Sequence, residues 1–230
     1  FIIATPFTFY FAQQWLQMRR HASDQSLKII GDLPIYVSGD SADVWANQEI
    51  FDLDPDTLQP VSVAGVPPDY FSDTGQKWGN PLYLWQTEDE QKQQQLHGWW
   101  KSRLSRLFSL VDTIRIDHFR AFASYWSIPA NEETAVQGVW RKGPGKPFFD
   151  AMAADSPCFD IIAEDLGMIT DDVRKLLYSV GFPGMKVLQF AFDGNQDNAF
   201  LPYNFSNDNC VVYTGTHDND TTVGWYLSEK

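Results

Sequence analysis

Four acidic residues each close a short apolar run, and their types and spacing are suited to acid–base or nucleophilic chemistry on a polar substrate. The runs are Leu27-Lys-Ile-Ile-Gly-Asp32, Thr113-Ile-Arg-Ile-Asp117, Asp160-Ile-Ile-Ala-Glu164 and Val211-Val-Tyr-Thr-Gly-Thr-His-Asp218. Arg115 and Asp117 alternate with Ile114 and Ile116, so in a strand they share one face. A guanidinium beside a carboxylate favours its ionised form, as a nucleophile requires, although a buried structural ion pair would read the same. Glu164 ends a run with no cation. Near an ionised Asp117, repulsion and partial burial would hold its proton near neutrality. Two carboxyl groups whose ionisation is pushed apart are what cleavage of a glycosidic bond needs. Asp218 adds a third acid, and His217 a ring able to bind hydroxyls. The bland alternative is that each acid caps the helix that follows it.

The elements that must position these residues are short strands rich in β-branched residues, read at 27–30, 112–117, 159–164, 185–192 and 211–214. Between them lie helical patterns: Phe7, Tyr10, Phe11, Trp15 and Met18 after Pro6; Leu96 through Val111; 148–153; a helix capped by Thr170; and one opening at Thr221. Five strands alternating with helices predict an α/β protein with a parallel sheet. A carboxylate at the carboxyl end of successive strands is the manner of a parallel β/α barrel, but periodicity alone leaves a doubly wound sheet open. Two stretches break the rhythm, 38–86 and 129–147, both without sustained period. The first holds Tyr70, Phe71, Trp78, Tyr83 and Trp85, too aromatic for a disordered segment.

Composition narrows the partners. A formal charge of −13 over 230 residues argues against a nucleic-acid partner, because the phosphate backbone would be repelled. No apolar run reaches the ~18 residues of a membrane span. Cys158 and Cys210 belong to no CxxC unit and read as buried small hydrophobes. His21, His97 and His118 show no ligand spacing, so no metal site is expected. Gly143-Pro-Gly-Lys146 lacks the upstream glycine of a phosphate loop.

Longer motifs then add to the residue reading. Gly31-Asp-Leu-Pro-Ile-Tyr-Val, Gly65-Val-Pro-Pro-Asp-Tyr-Phe-Ser, Gly75-Gln-Lys-Trp-Gly-Asn-Pro, Arg115-Ile-Asp-His-Phe-Arg, Ala163-Glu-Asp-Leu-Gly and Gly215-Thr-His-Asp-Asn-Asp-Thr resemble those of the 4-α-glucanotransferases, in the same order and across nearly the whole chain. The resemblance implies a (β/α)8 TIM barrel of which residues 1–230 supply about strands 3 to 7, with insertions at about 38–86 and 129–147. An internal segment of a longer catalytic barrel is therefore expected. It also implies transfer of α-1,4-glucan segments with retention, malto-oligosaccharides and α-1,4-glucans as partners, and no cofactor. By motif position Asp117 resembles the nucleophile, Glu164 the acid/base and Asp218 the transition-state stabiliser. Asp32, Arg115 and His217 resemble donor-sugar ligands, and Tyr70, Phe71, Trp78 and Asn80 a loop over the cleft. The family usually has Gly where this chain has Ala121, a methyl that either narrows the donor side or does nothing. The alternatives are a retaining α-glucan hydrolase and a non-catalytic glucan-binding barrel. The expected location is the cytoplasm, with a plastid as the alternative.

Overall fold

The computed structural model describes residues 4–69, 72–154 and 160–228. In chain order the elements are α1 (Ala4–Asp24), β1 (Ile30–Pro34), α2 (Ala42–Ala46), β2 (Ser62–Val66), β3 (Gln76–Pro81), α3 (Glu90–Phe108), β4 (Thr113–Asp117), β5 (Ser124–Pro129), β6 (Val139–Lys142), α4 (Lys146–Ala153), β7 (Ile161–Ala163), α5 (Asp171–Val180), β8 (Gly184–Val187), β9 (Cys210–Tyr213) and α6 (Thr222–Ser228). The five strands expected from the apolar runs all form, and all pair in parallel. One sheet has the order β1-β4-β7, and β8 pairs with β9. A bond from Ala163 N to Pro183 O at 2.9 Å links the two groups.

Burial explains the arrangement of β4. Ile114 and Ile116 are fully buried against α3 and α4, where Leu96, Trp100, Leu104, Phe148 and Phe149 form the main core. Asp89 caps α3 by accepting from the amides of Gln91 and Lys92, so this helix starts six residues before the first apolar position seen in the sequence. Behind the strand ends an aromatic mass of Tyr83, Trp85, Trp100, Phe122 and Phe148 fills the interior, and the Tyr83 hydroxyl donates to Ile35 O at 2.8 Å.

Several expectations need correction. The first strand starts at Ile30, and Leu27 and Ile30 are exposed, because β1 is an edge that pairs only with β4 among the described residues. In α1 the Trp15–Arg19 side meets the body, through Trp15 Nε1 to Leu110 O and Arg19 to Asp112, while Phe7, Tyr10, Phe11 and Met18 are exposed. Thr170 sits at the amino end of α5, but its hydroxyl donates to the Asp172 carboxylate and caps no backbone amide. Strand β8 stops at Val187 and gives way to a 3-10 turn, Leu188–Ala191. Cys210 opens β9 and is half-buried, and Cys158 lies outside the described residues.

The largest departure is in the two aperiodic stretches. They supply β2, β3 and β6 of a four-stranded antiparallel sheet of order β3-β2-β5-β6, whose β5 runs just ahead of the second stretch, and the sheet has a small core of Val63, Ile128 and Ala135. Strand β2 can lie this close because Gly65 has no side chain. A Cβ there would stand 2.1 Å from Gln76 O and 2.6 Å from Ile128 Cδ1. Gly65→Ala is expected to lower stability by about 1–3 kcal/mol through overpacking, read from denaturant unfolding of the intact protein. An unchanged midpoint would show that β3 gives way freely.

Candidate active site

Backbone register assembles the site. Asp32 on β1 is paired with Arg115 on β4, and Ile116 on β4 with Ala163 on β7, which brings Asp117 and Glu164 to the same end of neighbouring strands. The Glu164 amide donates to Ile116 O at 3.0 Å, and the Phe119 amide donates to Glu164 O at 3.2 Å. Arg115 is buried and shared. Its Nη1 lies 2.7 Å from Asp32 Oδ1 and 3.1 Å from Asp117 Oδ1, and its Nε lies 3.3 Å from Met185 Sδ. Burial alone would lower the Arg115 pKa, but Asp32, then Asp117 and Glu164, outweigh it and raise the pKa.

The two carboxyl groups differ in environment. Burial raises the Asp117 pKa from its ordinary value; Arg115 opposes that rise, while Asp32 and Asp218 add to it. The simple expectation of a carboxyl group lowered by its guanidinium is therefore corrected: the ion pair forms, but desolvation outweighs it. Glu164 is pushed up to about 7, mainly by burial and further by Asp117. Two backbone amides hold its carboxylate in place, His118 N to Oε2 at 2.8 Å and Leu166 N to Oε1 at 2.7 Å. The capping alternative does not describe it, since α5 begins seven residues later.

His118 supplies that amide from a left-handed conformation, with φ 54°, a strained position for a residue with a side chain. Its imidazole is pushed down to about 3 by burial and by Arg120, so it stays neutral, and its ring meets the Trp78 indole edge-on at 4.8 Å.

These groups open on a cavity of about 820 Å³ lined by Arg115, Asp117, Glu164, Asp218 and Trp78. Asp218 sits in the turn after β9, which Asn219 stabilises by accepting from Thr216 N and Oγ1. Gln189 ties this turn to the end of β8 by donating to Asp220 O at 2.9 Å. Asp32 stands behind Arg115. His217 is exposed, with Nε2 3.4 Å from Asp218 Oδ1. Asn80 does not face the cavity; its amide donates to Val37 O at 2.9 Å and anchors β3. Tyr70 and Phe71 lie outside the described residues. Sequence reasoning missed His118, Arg120, Trp140, Gln189, Phe190 and Trp225, all of which line the cavity. Among the described residues no cluster of three or more His, Cys, Asp or Glu side chains is arranged to hold a metal ion.

The sequence model of the family described as 4-alpha-glucanotransferase matches residues 4–230. This chain belongs to that family. It is 54% identical over 215 residues to a 4-alpha-glucanotransferase of Synechocystis sp., covering 93% of this chain and 42% of that protein. It is 50% identical over 218 residues to a chloroplastic/amyloplastic 4-alpha-glucanotransferase of Arabidopsis thaliana, covering 95% of this chain and 37% of the relative. Its fold matches an amylomaltase from Streptococcus agalactiae solved in complex with acarbose, with TM-score 0.88, 42% identity, and coverage of 95% of this chain and 43% of that one. The chain thus spans about two fifths of the length of these 4-alpha-glucanotransferases. Ala121, where the family motif usually has Gly, is fully buried in the 3-10 turn after His118 and does not line the cavity.

Proposed function

We propose that the intact protein is a retaining 4-α-glucanotransferase, that its parallel strands belong to a (β/α)8 barrel, and that Asp117 and Glu164 carry the reaction. The observation that carries this reading is the pairing of β4 with β7. Neighbouring strands lie ~4.8 Å apart, and retaining enzymes hold their two carboxyl groups ~5–5.5 Å apart. Asp117 attacks the anomeric carbon of the donor glucan while Glu164 gives its proton to the leaving glycosidic oxygen. The glucosyl unit is then an ester of Asp117, and Glu164 is a carboxylate. The 4-hydroxyl of an acceptor glucan loses its proton to Glu164, attacks the same carbon and releases Asp117, with retention overall. Asp218, across the cavity, supports the developing positive charge of the sugar ring. Arg115 and Asp32 hold Asp117, and His217 offers a ring to donor hydroxyls. Asn80 anchors β3, the strand that carries Trp78, by its bond to Val37 O. No cofactor is needed for these steps.

Trp78 flanks His118 and so stands beside the sugar whose glycosidic oxygen Glu164 protonates. Its exposed aromatic face suits the C–H surface of a glucose unit. No helix among the described residues is long and apolar enough to cross a membrane, and the proposed location is the cytoplasm, with a plastid the alternative by likeness to the plant relative.

Maltotriose decides between transfer and hydrolysis. The intact protein is expected to give a ladder of shorter and longer oligosaccharides with little rise in reducing ends. Trp78→Ala is expected to weaken use of acceptor more than cleavage of donor. A steady rise in reducing ends without a ladder would make the protein a hydrolase.

A further inference from the structure

Trp140 is an indole held on two sides and open on a third. It lies on β6, the outer strand of the antiparallel sheet, and is 41% exposed where it lines the cavity. The Arg120 guanidinium stacks on its ring, with Cζ 4.0 Å from the centroid. Trp126, its cross-strand partner, meets it edge-on at 5.1 Å. Both supports are themselves fixed. Arg120 is buried, donates to Met168 O and lies 3.3 Å from Ser124 Oγ, which contacts Asp172 in turn. Trp126 donates to Ala135 O at 2.8 Å, and it packs where a Cβ on Gly138 would stand 2.2 Å from its Nε1. With Arg120 over its ring and Trp126 packed at 5.1 Å, Trp140 is held from two directions, and the part of the indole left exposed lines the cavity, already ordered before anything binds.

Its position says what it meets. Asp117 has Arg115 beside it and Asp32 behind that. Trp140 belongs to the side of Glu164, reached from it through Leu166, Met168 and Arg120. In the double displacement proposed above, the flank of the acid/base is where the leaving chain departs and the acceptor enters. Trp78 already stands next to Glu164 through His118, so Trp140 is further along.

We infer that the exposed part of the Trp140 indole is a platform for a distal glucosyl unit of the acceptor chain, and that Arg120 positions it. This inference rests on the transferase reading and assigns acceptor-length preference to a residue outside the reacting groups. Packing of an aromatic surface against the C–H surface of a sugar needs no charge, which suits a neutral polymer.

The test uses the intact protein, an α-maltosyl fluoride donor, and glucose or maltotriose as acceptor at varied concentration. Trp140→Ala is expected to raise KM for maltotriose about 3- to 10-fold. It should leave KM for glucose and the initial burst of fluoride unchanged. Trp140→Phe should restore most of the maltotriose affinity, which a merely structural role would not predict for so exposed a side chain. An unchanged maltotriose KM in Trp140→Ala overturns the inference, as does an equal rise for glucose or a lost burst. A wild-type protein that releases fluoride without forming a transfer product overturns the transferase reading itself, and the platform with it.

Discussion

Asp117→Asn in the intact protein is expected to reduce glucan transfer by on the order of 10⁴-fold or more while leaving the fold in place. An amide cannot form the ester with the sugar, and the two carboxyl groups on the adjoining strands are already engaged. Asp32 is already committed to Arg115 at 2.7 Å, and Glu164 is held by two backbone amides. Because the Asp32–Arg115 contact survives, Arg115 is not left unpaired. Burial opposes ionisation of Asp117, so neutral Asn at this position should keep or raise the melting temperature. Mass spectrometry of the variant mixed with an activated donor should find no glycosyl adduct. An adduct on another residue, or wild-type turnover, would remove Asp117 from its assigned role.

Glu164→Gln should lower transfer from natural glucans about 10²- to 10⁴-fold, the usual worth of general acid–base catalysis. An activated donor, whose leaving group needs no proton, should still load Asp117, and the adduct should then accumulate because the second step lacks its base. The wild-type pH dependence follows with a definite sign. Glu164 must be protonated for the first step, and its pKa is about 7, so kcat/KM falls as pH rises through about 7. The variant should lose that limb. The same shift is linked to stability. With a folded-state pKa above its ordinary 4.5, Glu164 contributes stability that is full below about pH 4.5 and lost as pH rises through about 7. A natural-substrate rate unaffected by Glu164→Gln would reject the acid/base role.

The parallel strands and their terminal carboxyl groups were legible because both signals are local. Alternation along Thr113-Ile-Arg-Ile-Asp117 fixes which side chains share a face, and the structure finds Arg115 against Asp117 with Ile114 and Ile116 in the core. The antiparallel sheet was not legible. Strand β2, Ser62-Val-Ala-Gly-Val66, is buried along nearly its full length and shows no alternation, while β6, Val139-Trp-Arg-Lys142, is exposed along all of it. Both are decided by β5, which pairs with β2 across some sixty residues of chain and with β6 as a hairpin, so tertiary context outweighs propensity. The amide clamp on Glu164 was hidden for another reason. It is a property of the His118 backbone conformation, and a sequence lists side chains. Trp140 was hidden because its importance lies in Arg120 and Trp126, which only the folded hairpin brings to it.

The antiparallel sheet uses both of its faces. Ala64 and Tyr125 join the main core behind β4, while Val63 and Ile128 on the opposite face form a small core with Ala135. Trp78 and Trp140 lie on its two outer strands, β3 and β6, whereas the register of β4 and β7 places Asp117 beside Glu164. Under the proposed roles, β6 is the freest ground on which a lineage, or a designer, could retune the length of polymer handled: it is exposed along its length and pairs only with β5 among the described residues, whereas Trp78 is tied through His118 to the clamp on Glu164.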